Sequence, residues 1–327
     1  MGVIPFACPA CKGPVDFAAS AYRCGRCRKE YPVLCGIPDF RILPDRYISI
    51  EDDRRKGQRL FAETSRRSFH EMLDFYYSIT PEVPPPLARK FTAHALAEPA
   101  IGEQVLAEIG ESSPDGALLD VGCSTGGLLI AAAGRRLAAL VGVDVAFRWL
   151  VIGTARLREA GVQAQLVCAN AELLPFPCGR FTVITATDLI EHVAEPARVF
   201  AECYRVAASG GAVYISTNNR FALAPEPHAG IWGVGWLPRA MQAGYVRFVS
   251  GRAYRNIVLR SARELDQWVR KAGFEDCAAA PAPLAGRVSN TRWFAPVESL
   301  YNRLRRAPGS SGLLRWIGPR LQLLCRK

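Results

Sequence analysis

The chain has 327 residues, half of them hydrophobic, and a formal net charge of +11. That is enough chain to bury a full core and to hold about two domains. No apolar run reaches the roughly 18 residues of a membrane-spanning helix. The start MGVIPFACP has neither a basic segment leading a hydrophobic stretch nor Ser or Thr at position 6, so neither a signal peptide nor a myristoyl group is expected, and the expectation is a cytoplasmic protein.

Cys8-Pro-Ala-Cys11 and Cys24-Gly-Arg-Cys27 form two knuckles with twelve residues between them. Four thiolates at this spacing close tetrahedrally around Zn2+, and a segment of about 40 residues with little core needs such a staple. Four protein ligands leave the ion no open position, so the predicted zinc is structural. The continuation YPVLCGIPDF makes residues 1–44 similar to the small zinc-ribbon activator of tRNA and protein methyltransferases. Cys35 stands where that family has an aspartate and is not read as a ligand. The remaining six cysteines read as small apolar fillers.

Residues 45–110 are polar and helix-rich, broken at Thr80-Pro81 and Pro84-Pro85-Pro86. Aromatic residues at Phe69, Phe75, Tyr76, Tyr77 and Phe91 predict that this segment packs on something, either as a lid or as a helical spacer.

The stretch LLDVGCSTGGLL at 118–129 and the run LVGVDVA that ends on Asp144 and Val145 describe strand, glycine-rich turn, helix and strand closing on a carboxylate. This is the layout of a nucleotide-type cofactor site. The turn does not carry the dinucleotide pattern G-x-G-x-x-G. It has Asp120, then Gly122, Cys123, Ser124, Gly126 and Gly127, and so resembles the class I S-adenosylmethionine-dependent methyltransferases, with Ser124 at the position of their middle glycine. Asn170-Ala171-Glu172-Leu-Leu-Pro-Phe resembles that family's D-A-x-x-L-P-F segment, and FTVITATDLIEHV at 181–193 its fourth strand. The resemblance implies a Rossmann-like α/β fold with a seven-stranded, mostly parallel sheet and helices on both faces. It assigns Asp144 to the ribose hydroxyls and Asn170, Ala171 and Glu172 to the adenine. Asp188 would then meet the methionine ammonium, and His192 would pack or cap the helix that follows.

Pro196 opens a helix that runs to Val206, with a stop at Ser209-Gly210-Gly211 before the strand AVYIST. The long segment TNNRFALAPEPHAGIWGVGWLPR at 217–239 follows that strand's carboxyl end, where open α/β sheets place ligands. Trp232 and Trp236 offer flat walls to an acceptor, Asn218 and Arg220 offer polar contacts, and His228 is the candidate base. The segment resembles a group of bacterial class I methyltransferases with P-E-P-H and G-x-W-G-V-G-x-L-P-R in the same place. Ser261 and Glu264 form a capping box for RELDQWVRKAGF. A short strand near 275–280 and a last, antiparallel strand at 321–325 complete the predicted domain 111–327, with an insertion at 284–318.

Residues 217–327 hold eighteen Lys and Arg against six Asp and Glu. Such a field favours an anionic partner: a phosphorylated or glycan-type small molecule, a nucleic acid or a membrane surface. An arginine-rich solvated face accounts for it equally simply. Leu300, Leu304, Leu313, Leu314 and Trp316 among arginines extend the membrane alternative. The leading expectation is methyl transfer to a small molecule, with a hydroxyl favoured because only a hydroxyl needs a base to remove its proton. The alternative is an rRNA or tRNA methyltransferase whose ribbon contacts RNA, since a ribbon ahead of this fold also resembles guanine methyltransferases of large-subunit rRNA. Oligomeric state is not legible.

Overall fold

A computed structural model describes residues 2–110, 115–284 and 295–327. The chain divides into two compact units, one of residues 1–185 and 205–212, the other of 186–204 and 213–327.

The first unit opens with four short antiparallel strands paired in chain order: β1 (Val15–Ala18), β2 (Ala21–Cys24), β3 (Glu30–Leu34) and β4 (Ile37–Pro38). Three helices follow, α1 (Ile50–Phe61), α2 (Phe69–Ser78) and α3 (Pro85–Ile109). Ser49 and Ser68 cap the first two, each accepting a backbone N–H of the first turn, and Pro85 starts the third where its missing N–H costs nothing. Next come β5 (Gly116–Val121), α4 (Gly127–Ala132), β6 (Leu137–Asp144), α5 (Phe147–Glu159) and β7 (Gln165–Cys168). Every residue of β5 is buried, as a parallel strand covered on both faces requires. Three elements contribute residues to both units: β8 (Phe181–Thr187), α6 (Pro196–Val206) and β9 (Ala207–Asn218). The second unit adds α7 (Arg239–Ser250), α8 (Ala262–Ala272), β10 (Ala280–Pro281), α9 (Ala295–Leu304), α10 (Pro308–Ile317) and β11 (Arg320–Arg326).

The large sheet has seven strands in the order β10-β11-β9-β8-β5-β6-β7. β5 runs parallel to β6 and β8, β6 runs parallel to β7, and β10 pairs antiparallel with β11. Strand order therefore reverses beside β5, whose carboxyl end is the switch point where such sheets bind ligands. This is the Rossmann-like architecture expected from the sequence.

Within the first unit the helices ahead of β5 are fixed to the core. A Cβ on Gly57 of α1 would lie 2.3 Å from the Phe147 ring of α5, and one on Gly102 of α3 would lie 2.9 Å from the Leu128 backbone of α4. Only glycine permits these approaches. Asp53 is fully buried and accepts hydrogen bonds from the guanidinium groups of Arg41 and Arg148 and from the Phe147 N–H, 2.8 Å away. Asp39 and Asp45 extend this ion network. The tail of the small sheet joins the large one: Asp39 bridges Cys168 in parallel, and the Phe40 N–H donates to the Cys168 carbonyl at 2.7 Å.

Several sequence expectations are corrected. Ser209, Gly210 and Gly211 do not end the α6 helix; they lie inside β9, which begins at Ala207. Among the six cysteines read as fillers, Cys277 and Cys325 form a disulfide 48 residues apart, and Cys178 is exposed. The two bridged cysteines sit where Glu275 pairs antiparallel with Arg326, a neighbourhood made by the fold and invisible in local sequence. Of the expected insertion 284–318, residues 285–294 lie outside the described residues, and the remainder carries α9 and α10. The capping box at Ser261 and Glu264 forms as expected, and Gly273 closes α8 in the left-handed region at φ 100°. No helix among the described residues is long and apolar enough to cross a membrane.

Candidate functional site

The turn between β5 and α4 is built by three residues at positive φ: Gly122 (79°), Ser124 (50°) and Gly126 (81°). The N–H groups of Gly122 and Cys123 both donate to the Val143 carbonyl, at 2.7 and 3.0 Å, and tie the turn to the end of β6. Asp144 completes the clamp, its Oδ2 accepting from the Ser124 N–H at 2.9 Å and its Oδ1 from the Ala146 N–H at 2.8 Å. Each carboxylate oxygen keeps lone pairs for further donors. Burial pushes the Asp144 pKa up to about 6, against the pull of those two N–H groups. Asp120, at the same end of β5, is buried too, and this raises its pKa to about 7 although Thr185 Oγ1 donates to it at 2.8 Å. The Cys123 side chain packs against β6, where a Cβ on Gly142 would lie 2.8 Å from its sulfur. Its contribution to a cofactor would therefore come from the backbone.

The helix α3 reaches this turn from outside. Thr125 Oγ1 donates to Glu98 at 3.0 Å, and Arg156 donates to Glu98, to Thr125 and to the Ala95 carbonyl. Gly127 makes the contact possible, since a Cβ there would lie 2.2 Å from the Glu98 side chain.

The tail of the small sheet reaches the same neighbourhood. Asn170 Oδ1 accepts the N–H groups of Ile42 and Leu43 at 3.0 and 3.1 Å, and its amide donates to the Leu43 carbonyl at 3.1 Å. The amide expected to meet adenine is thus committed to residues 42–43. Ala171 and Glu172 follow it in a short 3-10 turn, Ala171–Leu173. Arg41 donates to the Val145 carbonyl at 3.1 Å.

The four ribbon cysteines come together, with every sulfur within 4.8 Å of the others. Cys8 and Cys27 are 3.5 Å apart, as are Cys11 and Cys24. The Cys27 N–H points at the Cys24 sulfur from 3.4 Å, and the backbone N–H of Cys27 leads in pulling the Cys24 thiol down to about 6. Lys12 and Arg28, each one residue past a knuckle, take positive φ. A donor set of four closely spaced thiols fits Zn2+.

In the second unit Asp188 has φ 54°, its N–H donates to the Ser216 carbonyl, and its carboxylate accepts from Arg320. The residue expected to face an ammonium group already faces a guanidinium. Glu191 is fully buried and accepts from Thr217 Oγ1 at 2.8 Å and Asn218 Nδ2 at 2.7 Å. His228 Nδ1 lies 2.6 Å from Glu226 Oε1, and Glu226 is itself held by the Ala229 N–H. Burial opposes charging of the His228 ring, but the bond to Glu226 outweighs it and the pKa is raised. The His192 and His228 rings meet edge to face at 5.1 Å.

Of the residues predicted to bind an acceptor, Asn218 serves Glu191, and Arg220 donates to the carbonyls of Gly235 and Leu237. Both hold the loop together. Trp232 and Trp236 are more than half exposed. Sequence reasoning set His192 aside and passed over Glu191 and Glu226. The adjacency of Glu191 and His192 in DLIEHV and the spacing of Glu226 and His228 in PEPH were the available signals.

Residues 119–215 match the family described as "Methyltransferase domain". The ubiquinone biosynthesis O-methyltransferase of Pseudomonas aeruginosa (strain LESB58) is 32% identical over 162 residues, a match covering 48% of this chain and 64% of that protein. The Methylococcus capsulatus protein of the same name is 34% identical over 158 residues, covering 48% of this chain and 62% of its own. The chain thus spans less than two thirds of the length of these relatives. Among solved structures, phosphoethanolamine N-methyltransferase 2 of Haemonchus contortus, in complex with S-adenosyl-L-methionine, aligns at 18% identity with a TM-score of 0.49, covering 80% of this chain and 60% of that one. The [4+2]-cyclase SpnF aligns at 22% identity with a TM-score of 0.45, covering 70% and 80%.

Proposed function

We propose that this protein is an S-adenosylmethionine-dependent methyltransferase that methylates a hydroxyl of a small molecule. The observation that carries the reading is Asp144. It is a carboxylate at the carboxyl end of β6, beside the switch point, clamped to the glycine turn through the Ser124 N–H and left with acceptor capacity on both oxygens. Asp144 would take the ribose hydroxyls, the backbone of Gly122 to Gly126 would line the approach to the methionine end, and Ala171 and Glu172 would border the adenine. Asn170 would act through the segment 42–43 that it anchors. S-adenosylmethionine, when bound, supplies a methyl already activated on sulfonium, so the chain's work is to orient and to handle the acceptor proton. His228, oriented by Glu226, serves the acceptor hydroxyl, and Trp232 and Trp236 line its pocket. The hydroxyl acceptor is supported by relatives named O-methyltransferases, and nothing among these relatives supports the rRNA or tRNA alternative. An anionic acceptor is supported by the excess of basic residues in 217–327.

Zn2+ in the Cys8, Cys11, Cys24 and Cys27 site belongs to the same reading, as a structural ion. Residues 1–44 form the ribbon, 45–110 a cover over the cofactor turn and 111–327 the methyltransferase domain.

Calorimetry tests the central claim. S-adenosylmethionine binds the intact protein, and Asp144→Ala abolishes that binding; undiminished binding in the variant overturns the assignment. Methyl transfer to a small-molecule extract and none to total RNA is the companion result, and the reverse pattern replaces the acceptor class.

A further inference from the structure

We propose that Glu191, His192 and His228 form a second metal site, separate from the cysteine cluster, for a divalent transition ion such as Mn2+, Co2+, Fe2+ or Zn2+. One ligand atom from each of the three residues lies within 4.8 Å of the others. Ligands at about 2.0–2.2 Å from an ion stand roughly 3 Å apart, and small side-chain movements would close the remaining distance.

Three features make the cluster a ligand set and not a chance meeting of polar groups. Glu191 is completely buried, and its carboxylate is aimed by Asn218, whose side-chain amide and backbone N–H both donate to Oε1, and by Thr217 Oγ1 on Oε2, which leaves Oε2 a lone pair for an ion. His228 has its Nδ1 engaged by Glu226, which leaves Nε2 as its ligand atom. This is the carboxylate–histidine support that fixes tautomer and ring orientation in metal sites. The charge also favours a cation: the carboxylates of Glu226, Glu191 and Asp188 all act on the His228 ring, with the guanidinium of Arg320 paired to Asp188.

Two imidazoles and one carboxylate select borderline transition ions over Mg2+, which prefers an all-oxygen shell. Three protein ligands leave coordination positions open, as catalytic sites do and the four-cysteine site does not. The use of the ion rests on the methyl-transfer reading. An acceptor hydroxyl bound at an open position would lose its proton to bulk water more readily, and His228 would then serve the acceptor by holding the ion instead of taking the proton itself. Binding of the ion does not depend on that reading.

The test uses the full chain with its cysteine site loaded with Zn2+, titrated with Mn2+ while the electron paramagnetic resonance signal of the free ion is followed. One further Mn2+ binds per chain, and His192→Ala and His228→Ala each weaken it at least tenfold with circular dichroism unchanged. Glu226→Gln, which takes away the negative charge beside His228 Nδ1, weakens it about 10- to 100-fold. Absence of saturable Mn2+ and Co2+ binding, or binding that both histidine variants retain, overturns the proposal. S-adenosylmethionine calorimetry on the same samples is read separately, so failure of the metal site and failure of the methyl-transfer reading are distinguished.

Discussion

Asp144 meets two demands, since it must stay ionised to receive hydroxyl donors yet lies where burial raises its pKa to about 6, and Asp120 is pushed higher still, to about 7. Both folded-state values lie above those of an unfolded chain, so between about pH 4 and pH 7 the native protein holds protons that the unfolded chain has lost, and ligand-free stability falls as pH rises through that window. Asp120→Asn removes one of these buried charges. The stability of the variant relative to the parent should therefore rise from pH 5 to pH 8 in thermal melts, and a constant difference would count against the buried-acid account. Ser124 is a second residue under strain, a β-carbon at φ 50° inside the turn. Ser124→Gly should keep the Asp144 clamp, which uses only the backbone N–H, and change stability by no more than about 1 kcal/mol, most simply upward; a loss of several kcal/mol in denaturant melts would show that the hydroxyl has a role of its own. The turn and Asp144 were legible in the sequence because their constraints are local: positive φ and a carboxylate closing a strand. The Glu191, His192 and His228 cluster was not, because 35 residues of chain separate its two halves and only the folded loop joins them.

At the scale of elements, the tail of the small N-terminal sheet and the helices α1 and α3 are fastened to the segments around the glycine turn and Asp144. Asn170 holds residues 42–43, Arg41 reaches Val145, and Asp53 binds Arg41, Phe147 and Arg148. Zinc removal should therefore do more than unfold residues 1–44. Stripping the metal with a chelator is expected to weaken S-adenosylmethionine binding as well, by loosening the segment that orders Asn170 and Val145. Calorimetry before and after chelation, followed by zinc readdition, checks this; unchanged affinity in metal-free protein would show the ribbon to be energetically independent. The cysteine spacing made the four-cysteine cluster legible, and the helix-rich character of 50–110, broken at its prolines, was expected as well. The docking was hidden because it uses backbone bridges and buried arginines, which in sequence look like ordinary surface charges.

Across the whole molecule, the residues assigned to the cofactor lie in the first unit apart from Asp188, and the residues assigned to the acceptor and the second metal lie in the other. Hydrogen exchange should resolve the two. S-adenosylmethionine is expected to slow exchange chiefly at 118–127, 144–146 and 170–173, and protection centred on 217–239 instead would mean that the cofactor has been placed in the wrong unit. The seven-stranded, mostly parallel sheet was implied by the family resemblance, while the disulfide between Cys277 and Cys325 depended on a register that only the finished sheet defines. The bridge from Asp39 to Cys168 has one more consequence. β7 is the last strand of the large sheet, and such a strand offers its free N–H and carbonyl groups to any passing chain. By lying along that strand, the tail of the ribbon shields it from intermolecular pairing, so a shortened protein beginning after residue 44 would face self-association before any question of catalysis arose.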